Sequence, residues 1–164
     1  MATRHIDVQR VSVTSSKPFD DVVAAIEARI GHPDMSAFGK RIAAAQTEDD
    51  LEQVVQSAVG PSGLMEFARY DLGEVLRKEN GGKDRRVLRF VVGNPLIMKE
   101  MVKPVPDAGS YAPVTILIDQ RPDGVHLSYD RMASYLAPYG SPEASKVARD
   151  LDSKVEALLV AAAK

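Results

Sequence analysis

Cysteine and tryptophan are both absent from these 164 residues. The first absence removes disulfides, thiolate metal sites, iron–sulfur clusters and a cysteine nucleophile together. The second leaves five tyrosines and four phenylalanines as the aromatic resource for any pocket or interface. Charge of one sign is not in excess either. A formal net charge of −2 gives no reason to expect nucleic acid or an anionic membrane surface as a partner. The densest basic cluster, Lys83–Arg89, contains Asp84 and straddles the start of a strand, which reads as solvated flank. No stretch approaches the ~20 apolar residues of a membrane span. The opening MATRHIDVQR sets Asp7 and Arg10 where a signal peptide needs an apolar run. The expected location is therefore cytoplasmic. Histidine is scarce, and His5, His32 and His126 include no H-x-H or H-x-x-x-H pair, so neither a metal nor a cofactor is expected.

What is present suits one soluble domain. Hydrophobic residues make up 45% and charged residues 27%, and a chain of this length buries roughly 70% of its unfolded surface. Arg4 to Val13 reads as a strand, with Ile6 and Val8 on one face and Val11 and Val13 on the other. That change of phase suggests a bulge or a strand buried on both sides. Ser15-Ser16 offers an N-cap for a helix with the stripe Phe19, Val22, Val23, Ile26 and Ile30, which Gly31 closes. Positions 32–60 read as a helical pair. Pro33 and Asp34 start the first helix, and Thr47-Glu48-Asp49-Asp50 resembles a capping box for the second.

Leu64 to Tyr70 is a short strand, followed by a helical turn, a Gly81-Gly82 break and a β-branched central strand over 86–92. Then comes Gly-Asn-Pro at 93–95, with Asn94 as N-cap and Pro95 as the first residue of a Met-x-x-Met helix. Two strands, 114–119 and 125–129, flank a Pro-Asp-Gly loop and read as a hairpin. Ser141, Pro142 and Glu143 start a long C-terminal helix whose stripe runs from Ala144 through Leu151 and Val155 to Leu159. That helix needs a flat apolar partner, so the fold class expected is α+β, an antiparallel sheet covered on one face.

The runs VVGNPLIMKEM, PDAGSYAPVTILID and DGVHLSYDRMASYL resemble the domain of unknown function 302 family. The resemblance covers roughly residues 9–30 and 64–137. It implies a TATA-binding-protein-like fold, a curved antiparallel sheet of about five strands with helices on one face, and a homodimer. It implies no activity and no catalytic residues. Against the shorter members, the helical pair at 32–60 reads as an insertion within a single domain spanning 1–164.

Several positions carry candidate chemistry. At Gly93 and Asn94 the helix start could hold an anion, although the Asn94 side chain can itself satisfy those amides. Met98 and Met101 share a helix face. Thioethers are soft donors for copper(I), but with no cysteine or nearby histidine they read better as packing or as an adaptable pocket wall. His126, Ser128 and Asp130 alternate on one strand and point to one face. At ~6.5–7 Å spacing they cannot form a nucleophile–base pair, and no G-x-S-x-G elbow exists. Tyr111, Tyr129, Tyr135 and Tyr139 gather near the final hairpin and mark a ligand or dimer surface. The leading expectation is a homodimeric, non-catalytic binder of a small, partly apolar molecule, using Gly93, Asn94, Met98, Met101, Tyr111 and Tyr129. An enzyme with isolated acid–base groups Glu66, His126 and Tyr129 is the first alternative, and a purely structural dimerisation module is the second. Haem held by His126 or a methionine is the remotest reading.

Overall fold

The computed structural model describes residues 1–79 and 86–164. The Gly81-Gly82 break and the first half of the basic cluster, Lys83 to Arg85, lie outside the described residues. Five strands, β1 (Arg10–Ser15), β2 (Met65–Asp71), β3 (Val87–Gly93), β4 (Val114–Arg121) and β5 (Gly124–Asp130), form one curved, wholly antiparallel sheet in the order β1-β5-β4-β3-β2. The helices are α1 (Phe19–Glu27), α2 (Met35–Ala44), α3 (Glu48–Gln56), α4 (Leu72–Leu76), α5 (Pro95–Val102), α6 (Met132–Leu136) and α7 (Pro142–Ala163). The α+β expectation therefore holds, including the long last helix, whose 22 residues reach about 33 Å at 1.5 Å per residue.

Alternation decides which face is covered. Phe90 and Val92 of β3, Val114, Ile116 and Ile118 of β4, and Val125, Leu127 and Tyr129 of β5 are all buried against α1, α5 and α7. Their neighbours in sequence, Arg89, Thr115, Leu117, Ser128 and Asp130, point to the opposite, helix-free face. A second apolar cluster joins the helical pair to the sheet edge, with Phe38, Val54, Val55 and Ala58 around Met65 of β2 and with Phe67 and Leu96 at its border. The capping box forms with aspartate in place of the usual glutamate. Asp50 N–H donates to Thr47 Oγ1 at 3.1 Å, and Thr47 N–H donates to Asp50 Oδ2 at 3.1 Å.

Three local expectations are corrected. The first strand begins at Arg10, not Arg4, so the apparent phase change at Val8 is the end of the strand and not a bulge. Val8 is exposed, and Gln9 is tied to α6 instead, its N–H on Ser134 Oγ at 3.1 Å and its carbonyl accepting from Arg131 at 2.9 Å. The bulge lies in β2, where the register shifts between Glu66 and Ala68. Ser15 does not cap α1, whose N-cap position is Pro18 and which has no side-chain cap. Its hydroxyl donates to Ala163 O at 2.7 Å and so pins the end of α7 to the sheet. Gly31 does not end α1, which stops at Glu27. It forms an isolated bridge to Met65 instead.

Candidate functional site

The Gly-Asn-Pro step is built as the residue types dictate. Asn94 has extended backbone angles, its Oδ1 accepts from Leu96 N–H at 2.9 Å, and Pro95 takes the first helical position. Asn94 Nδ2 also donates to Gly63 O at 2.9 Å, which ties α5 to the loop ahead of β2. The cap amide is thus engaged by the protein itself, which favours the architectural reading of this corner. Replacing Asn94 by alanine removes both bonds and is expected to cost about 1–2 kcal/mol, read as a lower urea midpoint with unchanged slope.

One cavity lies against this corner, and a second opens on the other side of the sheet. On the helix side, an apolar pocket of about 200 Å³ lies between Phe67, Ile97, Met98, Met101, Pro113 and Leu151, with Gly93 and Asn94 at its rim. The two methionines differ. Met101 is fully buried in the main core, whereas Met98 is half-buried and belongs to neither apolar cluster. Its thioether is therefore a flexible wall facing unfilled space.

On the helix-free side, a cleft of about 390 Å³ is bordered by Arg10, Arg89, Thr115, Leu117, Ser128 and Tyr135. Pro113 and Val114 border both cavities. Arg10 holds Asp130 with two bonds, 2.7 and 2.8 Å, and keeps that carboxyl below its ordinary pKa. Above the cleft Tyr111 stacks on Tyr135, with centroids 4.8 Å apart, and its hydroxyl lies 2.7 Å from that of Tyr139. Burial, reinforced by Asp130, raises the Tyr135 hydroxyl, and the bond to Tyr111 pushes Tyr139 up to about 12. Both are uncharged at neutral pH.

Of the six expected ligand residues, Gly93, Asn94, Met98 and Met101 meet at the apolar pocket, while Tyr111 and Tyr129 border the open-face cleft. Tyr129 reaches that cleft only from its buried side. Its hydroxyl points the other way and donates to Asp152 Oδ1 of α7 at 2.6 Å, and burial raises its pKa far above neutral. The expected acid–base groups do not converge. Glu66 accepts from Arg69 at 2.8 and 3.1 Å and lies 3.1 Å from His32 Nδ1, on an edge strand. His126 sits three strands further across the sheet, with Nε2 2.9 Å from Asp123 Oδ1, on the face opposite the Tyr129 hydroxyl. Among the described residues no three histidine, aspartate or glutamate side chains cluster as a metal site would need, and no helix is long and apolar enough to cross a membrane. Arg89, Thr115 and Pro113 were not among the site residues expected from sequence. Arg89 alone carries a signal, a charge in the middle of an apolar central strand.

A family model described as "Domain of unknown function DUF302" matches residues 40–162. No curated protein matches the chain. Among solved structures, an uncharacterized conserved protein DUF302 from Bacillus stearothermophilus superposes with a TM-score of 0.64 at 12% identity, over 93% of this chain and 97% of that one. At that identity the likeness concerns the fold.

Proposed function

Because the chain belongs to the family of domains of unknown function DUF302, whose name assigns no reaction, we propose from its own cavities that it is a non-catalytic binder of a small, partly apolar molecule. The observation that carries this reading is the pocket beside Met98, an apolar space closed on three sides by the end of the sheet, α5 and α7. At about 200 Å³ it suits a compact ligand, near the size that admits a single aromatic ring. The methionine wall can adapt its rotamers to different shapes. Neither cavity brings together two of Glu66, His126 and Tyr129, which weighs against the enzyme alternative.

The same reading includes a homodimer. Tyr70, Leu72 and Val75 are large hydrophobic residues left exposed at the β2 edge, at 51%, 40% and 71%, and an exposed apolar edge of this kind supports self-association.

Protein labelled at the methionine methyl groups and titrated with indole tests the pocket. Saturable shifts at Met98 and Met101, weakened severalfold in Met98→Ser, are expected. Shifts that rise linearly without saturation, or that leave both methionines unmoved, would remove the proposal. Native mass spectrometry of the protein from its own host reads the co-purifying molecule and the oligomer mass together. A purely monomeric mass would remove the dimer alone.

A further inference from the structure

The helix-free face of the sheet holds a second cavity that the apolar-pocket reading does not use. Strand register explains its composition. Arg89 of β3 faces Leu117 of β4, Leu117 faces Ser128 of β5, and Ser128 faces Ser12 of β1. In the next row Arg10 faces Asp130. Two rows of side chains therefore form a floor with Leu117 at its centre, flanked by a guanidinium on one strand and a hydroxyl on the other. Paired strands lie 4.7–4.9 Å apart, so Arg89 and Ser128 stand about 10 Å apart at the backbone. That separation leaves room for a small group between their tips.

Two of these groups keep hydrogen-bonding capacity that the described residues do not use. Ser128 is only 8% exposed, it borders the cleft, and its hydroxyl makes no hydrogen bond to any described residue. As no buried side-chain oxygen lacks a partner among the described residues, the Ser128 Oγ is itself accessible, and it is open to a ligand in the cleft. Arg89 is exposed and has no carboxylate partner among the described residues. Its contacts are a long 3.5 Å approach of Nη2 to Thr115 Oγ1 and the Tyr70 ring 6.0 Å away. The cleft's own carboxylate, Asp130, is held on both oxygens by Arg10, so it does not compete for Arg89. Two guanidiniums against one carboxylate leave the cavity one positive charge in excess. Leu117 and Pro113 supply an apolar floor, and the Tyr111–Tyr135 stack an aromatic wall.

We propose that this cleft binds a small organic carboxylate. The carboxylate pairs with the Arg89 guanidinium and accepts from the Ser128 hydroxyl, and the ligand's flat apolar body lies over Leu117 toward Tyr135. A guanidinium fork matches a planar carboxylate with two parallel bonds, and a cavity of about 390 Å³ lies within the usual range of small-molecule sites.

Titration of the full-length protein with benzoate, followed by amide chemical shifts, tests the site. Benzamide serves as the neutral isostere and inorganic phosphate as the anion without an apolar body. Benzoate is expected to shift Thr115, Leu117 and Ser128 saturably, and benzamide and phosphate to leave them in place. Arg89→Gln is expected to weaken benzoate at least tenfold and Ser128→Ala severalfold. Arg121→Gln, which removes a cation outside the cleft that pairs with Asp119 on the same strand, keeps the affinity of the parent. Equal binding of benzamide, an equal response to phosphate, or full affinity in Arg89→Gln overturns the assignment. These resonances are separate from the methionine methyls of the apolar pocket, so each site stands or falls alone.

Discussion

Replacing Gly31 by alanine is expected to remove about 4 kcal/mol of stability or to prevent folding altogether, although the substitution adds a single methyl group. The chain crosses itself here. Gly31 N–H and Gly60 N–H both donate to Leu64 O at 2.9 Å, Glu66 N–H donates to Gly31 O at 2.8 Å, and Ser62 N–H donates to Arg29 O at 2.9 Å. A side chain at Gly31 would sit on the carbonyl oxygen of Ala58, and 2.8 Å from its carbon; one at Gly60 would lie 2.7 Å from Gly31 N. Neither glycine has a positive φ. What the position uses is the missing side chain, not the backbone freedom. The obstacles are backbone atoms, which cannot swing aside, so the two segments must separate and break their shared hydrogen bonds. Losses of this size come from a short list of mechanisms, and a clash against backbone is one. At 2–4 °C per kcal/mol for a chain of this size, melting should fall by about 8–16 °C. Gly39→Ala is the internal control. It lies within α2 with nothing inside 4 Å of a new methyl group, and it is expected to stabilise by up to about 1 kcal/mol. A Gly31→Ala protein melting within 2 °C of the parent would show that the crossing yields easily.

The contrast between those two glycines marks what the sequence could reveal. Local grammar was legible wherever one stretch contained the whole cause. Thr47 and Asp50 cap each other within four residues, Asn94 caps its own helix, and the Pro-Asp-Gly loop joins β4 to β5. The apolar stripe of α7 required only a period of 3.6. Contacts between distant segments were not legible. Gly31 looked like a helix end because glycine often is one, and its real constraint comes from Ala58, a residue that only the fold brings near. Val8 looked like strand because alternation says nothing about where pairing partners run out. The cleft was half visible, since His126, Ser128 and Asp130 were placed on one face. Its cation comes from β3, and only register aligns Arg89 with Leu117 and Ser128. A single sequence shows which way a strand residue points without showing what stands beside it.

Asp152 was hidden for the same reason, and its replacement carries the second large effect. It sits in α7 between Leu151 and Val155 and is only 5% exposed, a carboxylate within an apolar stripe. Oδ1 accepts from the Tyr129 hydroxyl at 2.6 Å and from Met132 N–H at 2.7 Å, and Oδ2 accepts from Ala133 N–H at 3.1 Å. The five-residue α6 has no side-chain cap of its own, so this carboxylate, reaching from another helix, satisfies its first amides. One side chain thereby fastens the last strand, the short helix that follows and the long terminal helix. Asp152→Ala leaves the Tyr129 hydroxyl and Ala133 N–H without an acceptor, while Met132 N–H keeps only Tyr129 Oη at 3.2 Å, and it is expected to cost about 3–5 kcal/mol. Asp152→Asn keeps the shape, but one oxygen becomes an amide facing either Ala133 N–H or the Tyr129 and Met132 donors, so a loss of about 2 kcal/mol is expected. Tyr129→Phe removes one donor and leaves the carboxylate two others, costing about 1 kcal/mol. Urea unfolding of the single variants and of Tyr129→Phe/Asp152→Ala closes the cycle. The double variant should lose less than the sum, because the tyrosine hydroxyl no longer needs the acceptor that is gone. Strict additivity would mean that the Tyr129–Asp152 bond contributes nothing, and a wild-type midpoint in Asp152→Ala that none of the hydrogen bonds at this junction helps to hold α7 on the sheet.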